Sequence, residues 1–314
     1  MHSLSGSDWS ARRKFSIIAF VIATALLAWG AFVTSINAGL AVPDWPSSFD
    51  SYNPFNPWPN WWEVTPILAE HGHRLLGALV GLIMTALAFW TWRSDERQWM
   101  KRVALGALLL VIFQGVLGGL RVVWVSLDLA VVHAAVAQIF YSLLATLILF
   151  VSPMWQRTVD RGYQSELQDL RSVTIRAVLA VYVQIILGAL LRHPGVGIDS
   201  LLAGLHLGFA FVAAAAVFHM WVIIRTKYET EADLRRSATW SLRILILQVT
   251  LGLIAYFVLL DERGIVRPSN VQVVINSSHL VVGAMLLASA VVTMTLVFRL
   301  TTNRSLSLNP TSSD

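Results

Sequence analysis

Four histidines, His73, His133, His206 and His279, are the residues best placed to do chemistry, and their spacings of 60, 73 and 73 residues are close to regular. Each stands near the start of an apolar stretch. The apolar stretches before His133, His206 and His279 carry the same pattern, Gln114-Gly-Val-Leu-Gly118, Gln184-Ile-Ile-Leu-Gly188 and Gln248-Val-Thr-Leu-Gly252, and the one before His73 has Leu26 to Gly30 in that place without the glutamine. The repeating unit is therefore a helical hairpin used four times. The spacing supports duplication of a four-helix half, and such repeats commonly build a site at their interface. Counted from Pro66, Asp128, Asp199 and Val271, the histidines sit five to eight residues into their helices, about 8 to 12 Å deep at the rise of an α-helix. An ionisable side chain in hydrocarbon is costly and by default marks a functional position.

A neutral imidazole is the commonest metal ligand, and helix-bundle cores are where cofactors are held. The chain has no cysteine, which excludes disulfides, thiolate catalysis, iron-sulfur clusters and Cys-ligated zinc. A zinc site would need a third or fourth ligand that the local spacing does not offer. Two axial histidines on one haem iron fit, so the economical reading is two haem sites, one per half. Gly77 and Gly81, Gly115 and Gly119, and Gly204 and Gly208 have the small-x-x-x-small spacing that suits either a flat macrocycle or close helix packing. Arg121 and Arg192 are either partners for haem propionates or ordinary interfacial anchors.

The halves differ at one point. The second helix opens with Glu70-His71-Gly72-His73-Arg74, whereas the later repeats have Ala130, Ala203 and Asn276 where Glu70 stands. Residues three apart share a helical face, so Glu70 looks into the pocket of His73, while His71 points elsewhere and is expected at the solvent edge. Only the first half thus has a potential acid or base. His219 lies off the face of His206 and is expected to be structural, His2 is in the tail, and His193 precedes Pro194 in a short loop.

The elements that must position these groups follow from composition. Of 314 residues 56% are hydrophobic and 13% charged, against about 25% charged in soluble domains, which excludes a water-soluble globule. Eight apolar stretches, approximately 15–36, 66–92, 103–122, 128–151, 173–191, 199–224, 238–260 and 271–298, are each long enough to span a bilayer. The net charge of +5 is no nucleic-acid signal, because 18 of the 23 Lys and Arg residues fall in alternate connections on one side. That side is predicted to be cytoplasmic, with both termini inside, in a bacterial plasma membrane. The expected fold is all-α: a multi-pass protein of two pseudo-symmetric four-helix bundles, residues 1–157 and 158–314. The connection from Asn37 to Thr65 has five prolines and four tryptophans without Lys or Arg. It reads as an interfacial loop on the lipid headgroups or as a lid over an outward-facing pocket.

Taken together, these residues resemble the haem A synthase family along essentially the whole chain: the eight spans, Ala38-Gly-Leu-Ala-Val-Pro-Asp-Trp-Pro46, the E-x-x-H-R of Glu70, His73 and Arg74, and the single histidines of helices 4, 6 and 8. The resemblance implies an oxidoreductase that converts the C8 methyl of haem O to a formyl group, giving haem A for terminal oxidases. It implies haem b as cofactor on His206 and His279 with Arg192. Substrate haem O would lie near His73 and His133, with Arg74 and Arg121 beside it and Glu70 as the catalytic carboxylate. Family members often carry cysteine pairs in the outer loops, and this chain does not. A non-catalytic di-haem b cytochrome or a haem carrier is the alternative. Relay across the membrane would need histidines at both depths, and these four share one. A homo-oligomer, hand-over from a haem O synthase and an electron-transfer partner are left open by the residues.

Overall fold

In lipid a backbone has no water to bond, so a long apolar run without interior proline closes its own hydrogen bonds as a helix. The computed structural model, which describes residues 6–55, 57–156, 167–192, 200–261 and 268–302, contains eight helices long and apolar enough to cross a bilayer. They are α1 (Gly6–Ser35), α2 (Thr65–Ser94), α3 (Gln98–Val123), α4 (Leu127–Phe150), α5 (Leu167–Leu191), α6 (Ser200–Lys227), α7 (Ala232–Asp261) and α8 (Asn270–Thr302). Most extend beyond the apolar stretches by several residues, because charged ends such as Gln98 to Arg102 and Ala232 to Arg236 continue the helix into the interface. Local chemistry sets several starts: a proline occupies the first turn of α2, Ser126 Oγ accepts from Leu129 N–H to cap α4, and Ser269 Oγ accepts from Gln272 N–H at α8. The boundary at 157, His2, His193 and Asp199 lie outside the described residues.

Packing contacts close two cycles, α1–α2–α3–α4–α1 and α5–α6–α7–α8–α5. The cycles join through α8 against α1 and α4, and through α4 against α5. Helix α8 is central and α7 peripheral: 56% of the most apolar stretch of α8 is buried, against 6% for α7. Exposed Leu82, Phe89, Leu109, Phe211, Ile246 and Phe257 form the lipid-facing surface expected of such a bundle.

Each cycle has its own core, and both cores sit at the same end. The first contains Val80, Met84, Leu87, Met100, Phe140, Tyr141 and Leu144 and also takes Ala284 and Ala288 from α8. The second contains Leu170, Ala177, Val217, Met220, Ile224, Leu234 and Leu287. On even helices these residues follow the histidine, and on odd helices they precede the Leu26, Gln114, Gln184 or Gln248 position. The opposite end, toward residues 37–64, holds the histidines. Among the described residues only the first cycle has a small cluster there, Val33, Ala38 and Ala69 with Trp29 and Phe32. Dense packing is thus confined to one end of each bundle, which leaves the other for polar groups.

At the densely packed end Arg12, fully buried on α1, donates to Asp95 at 2.8 Å, and Arg97 also donates to Asp95 at 2.8 Å. Burial pushes the Asp95 carboxyl up, but the hydrogen bonds and charge of Arg97 and the charge of Arg12 outweigh it and hold it below the ordinary carboxylate range.

Candidate functional site

The histidines lie on α2, α4, α6 and α8, after Thr65, Leu127, Ser200 and Asn270 respectively, six to nine residues from each helix start. All four are partly buried rather than exposed to lipid. Each leans on the odd helix of its own hairpin, so that the nearest side chain to Gly30, Gly118, Gly188 and Gly252 is His73, His133, His206 and His279. The glutamines of the repeat act on the same residues. Gln114 Nε2 donates to the His133 carbonyl at 3.0 Å and Gln184 Nε2 to the His206 carbonyl at 2.9 Å. The Gln184 amide also lies 3.2 Å from His206 Nδ1, and the Gln248 amide 3.3 Å from His279 Nε2.

In the second cycle His206 and His279 face each other, ring centroids 6.4 Å apart and planes at 77°. Two imidazoles bonded to one shared ion, each by a metal–nitrogen bond of about 2 Å, have centroids about 6 Å apart. The separation of the pair is one at which both rings could bond a single metal ion. Among the described residues no group of three or more His, Asp or Glu side chains gathers, so the donor set is a pair of imidazoles rather than a zinc cage. The Nδ1 atoms of His73, His133 and His279 are buried without a hydrogen-bond partner, and so is Nη1 of Arg192. Arg192 Nη2 crosses to the first cycle, donating to Ser35 Oγ at 2.6 Å. In the first cycle His73 lies within electrostatic range of His133, Arg121 and Arg74.

Gly77, Gly81, Gly115, Gly204 and Gly208 would meet no atom within 4 Å if a Cβ were added. Among the described residues no neighbouring helix packs closely on them. Gly119 is different: the Trp45 ring of the loop lies on it.

Glu70, His71 and Arg74 are engaged with the connection between α1 and α2, which folds onto α2. Glu70 is buried; Oε2 accepts the Val42 N–H at 2.9 Å and Oε1 pairs with Arg74 at 3.1 Å. Arg74 donates further to the carbonyls of Asp44 (2.7 Å), Ser47 (3.1 Å) and Val42 (2.9 Å). Arg121 donates to the Gly39 carbonyl. His71, expected at the solvent edge, is buried between loop and helix, with Nδ1 3.2 Å from Ser48 Oγ, Nε2 2.7 Å from the Pro54 carbonyl and its ring edge-on to Trp61. The expectation failed because helix phase placed His71 away from His73, and the folded loop supplies a second polar surface on that side.

Asp44, within the Ala38–Pro46 motif, organises the loop. Its carboxylate accepts from Ser47 Oγ and from the N–H groups of Phe49 (2.7 Å) and Asp50. Phe49 and Asp50 take left-handed φ of 54° and 58°, a conformation that costs free energy in a non-glycine residue and here is offset by these bonds. Burial pushes Asp44 up, but the hydrogen bonds from Ser47, Asp50 and Phe49 outweigh it, and the group lies below the usual carboxylate range. An Asp followed by Trp-Pro-Ser-Ser is a turn signal that could have pointed to this role.

The fold and these contacts define a multi-pass helical membrane protein with His73, His133, His206 and His279 on alternate helices, all toward one end. The chain belongs to the COX15-CtaA family of cytochrome oxidase assembly proteins, whose family model matches residues 13–200. It is 29% identical to the haem A synthase of Symbiobacterium thermophilum over 269 residues, 77% of this chain and 84% of that protein. The haem A synthase of Lysinibacillus sphaericus is 29% identical over 189 residues, 57% of each chain, and that of Geobacillus kaustophilus 27% identical over 175 residues, 54% of this chain and 52% of that one. The chain thus spans little more than half the length of the latter two.

Proposed function

We propose that the protein is a haem A synthase, an oxidoreductase that converts the C8 methyl of haem O to a formyl group. The observation that carries the reading is the His206–His279 pair at 6.4 Å, in a chain whose relatives bear that name. Haem b would be held by His206 and His279, with the unpartnered Nη1 of Arg192 available to a propionate. Held by two imidazoles, it would supply one-electron transfer. Substrate haem O would lie in the first half between His73 and His133, at the bundle end that carries the small cluster of Val33, Ala38 and Ala69, with Arg121 toward its carboxylates.

Glu70 is the group proposed to stabilise cationic character or take a proton as the methyl is oxidised. Its oxygens accept from Val42 N–H and Arg74, each with a lone pair left for a proton, and protonation would weaken both contacts. That couples its chemistry to the loop, and the loop excludes water from the site while it is closed. Residues 1–157 would be the reactive half and 158–314 the electron-carrying half. The arginine bias and bacterial relatives support a plasma membrane with both termini in the cytoplasm and the histidines toward the outer surface.

Expression with a source of haem O tests the reading: extracted pigment is expected to contain haem A, and Glu70→Gln to lower its yield at least tenfold while haem remains bound. Wild-type protein that binds haem but never forms a formylated one, under aerobic and reducing conditions, would make it a cytochrome or carrier instead.

A further inference from the structure

The Q-x-x-L-G repeat ends in a glycine, and the structure gives that glycine a use. A Cβ built on Gly30 would stand 2.9 Å from Cε1 of His73; the corresponding distances are 3.2 Å for Gly118 and His133, 3.0 Å for Gly188 and His206, and 3.0 Å for Gly252 and His279. In all four hairpins the ring atoms follow in one order of approach, Cε1, then Nδ1, then Nε2. The same edge of every imidazole therefore rests on the same backbone position of the neighbouring helix. Gly106, by contrast, would meet nothing within 4 Å. The glutamine one turn earlier fixes the other end of the residue: Gln114 and Gln184 bond the carbonyls of His133 and His206. With its backbone tied to the facing helix, the ring cannot retreat by moving its own helix.

We propose that Gly30, Gly118, Gly188 and Gly252 are positioning residues, each the floor of a seat that sets where its imidazole stands and how the ring is turned toward the bundle interior. A methyl group at these places would occupy the space of Cε1 and push the ring aside by a few tenths of an ångström, because carbon atoms do not approach closer than about 3.5 Å without cost. The seat is a claim about this chain's own contacts. Its most sensitive readout rests on the haem reading above, since ligand position sets the spectrum of a six-coordinate haem.

The experiment uses full-length protein purified from membranes, with haem content per chain, the low-spin absorption bands and the electron paramagnetic resonance g values as readouts. Gly188→Ala and Gly252→Ala are expected to accumulate as wild type does, to shift the g values or convert part of the haem to high spin, and to lower haem content severalfold. Gly188→Val is expected to do more than Gly188→Ala, and Gly106→Ala to leave the spectrum unchanged. Alanine variants with the wild-type spectrum and haem content would overturn the seat. So would variants lost from the membrane altogether, because a floor for a ring is not needed for the helices to pack. If wild-type protein carries no haem, the haem reading fails and the seat is read in the protein itself. The imidazole carbon–proton resonances of His206 and His279 then move in Gly188→Ala and Gly252→Ala if the seat exists, and stay in place if it does not.

Discussion

At the scale of the residue, a few buried polar contacts carry consequences beyond their number. The Arg12–Asp95–Arg97 cluster is the clearest. Removing one partner of a buried ion pair leaves the other desolvated and uncompensated, a loss of about 3–5 kcal/mol. Arg12→Ala is therefore expected to lower thermal stability markedly, whereas Arg97→Ala, which removes a partly exposed partner, is expected to cost far less; differential scanning on detergent-solubilised protein ranks the two. The depressed Asp95 carboxyl gives this stability a pH dependence. It is fully present above the ordinary carboxylate value and is lost as pH falls through the lower folded one. Glu70 belongs to the same scale, since one oxygen accepts the Val42 N–H of the loop and the other pairs with Arg74.

At the scale of the element, the loop between α1 and α2 is folded and tied to α2. Arg74 alone donates to three loop carbonyls and to Glu70. Arg74→Ala is expected to release the loop, seen as faster proteolytic cleavage between Val42 and Val64 and as a red shift in tryptophan emission from Trp45 and Trp58. Arg74→Lys is expected to restore little, because an ammonium lacks the planar fork that reaches separate acceptors. Acid should act later than habit suggests. The Asp44 carboxyl lies below its usual range, so its contribution to the closed loop is complete above that range and fades only as pH falls beneath it. Emission from the loop tryptophans is expected to stay constant from neutral pH down to about 4 and to change below it, and Asp44→Asn to remove that acid transition.

At the scale of the whole molecule, α8 makes one body of two bundles. It closes the second cycle and also lends Ala284 and Ala288 to the first core. Tyr182 on α5 donates to the Ala135 carbonyl on α4, and Arg192 reaches Ser35 on α1. The halves are thus expected to unfold together, with a single transition by circular dichroism and by tryptophan emission. Ala284→Phe, which overfills the shared seam, is expected to separate them into two transitions. Two separate transitions in wild type would mean that the halves are independent.

Much was legible before any coordinates. The count of spans, the shared level of four histidines and the hairpin repeat all follow from hydropathy and spacing, which are local properties. A helix in lipid satisfies its own backbone, so its existence needs no knowledge of its neighbours. What the chain alone did not reveal depends on residues far apart in sequence. Gly188 and His206 meet because two helices lie at one distance and phase, and Val42 finds Glu70 because a proline-rich segment folds back rather than out. Arg12 looked like one more interfacial cation until α1 set it beside Asp95. Local pattern decided which elements exist and which side chains share a face. Tertiary packing decided which glycine receives a ring, which cation is buried and which helix belongs to both halves, since those outcomes are fixed by contacts between segments and by nothing within either one.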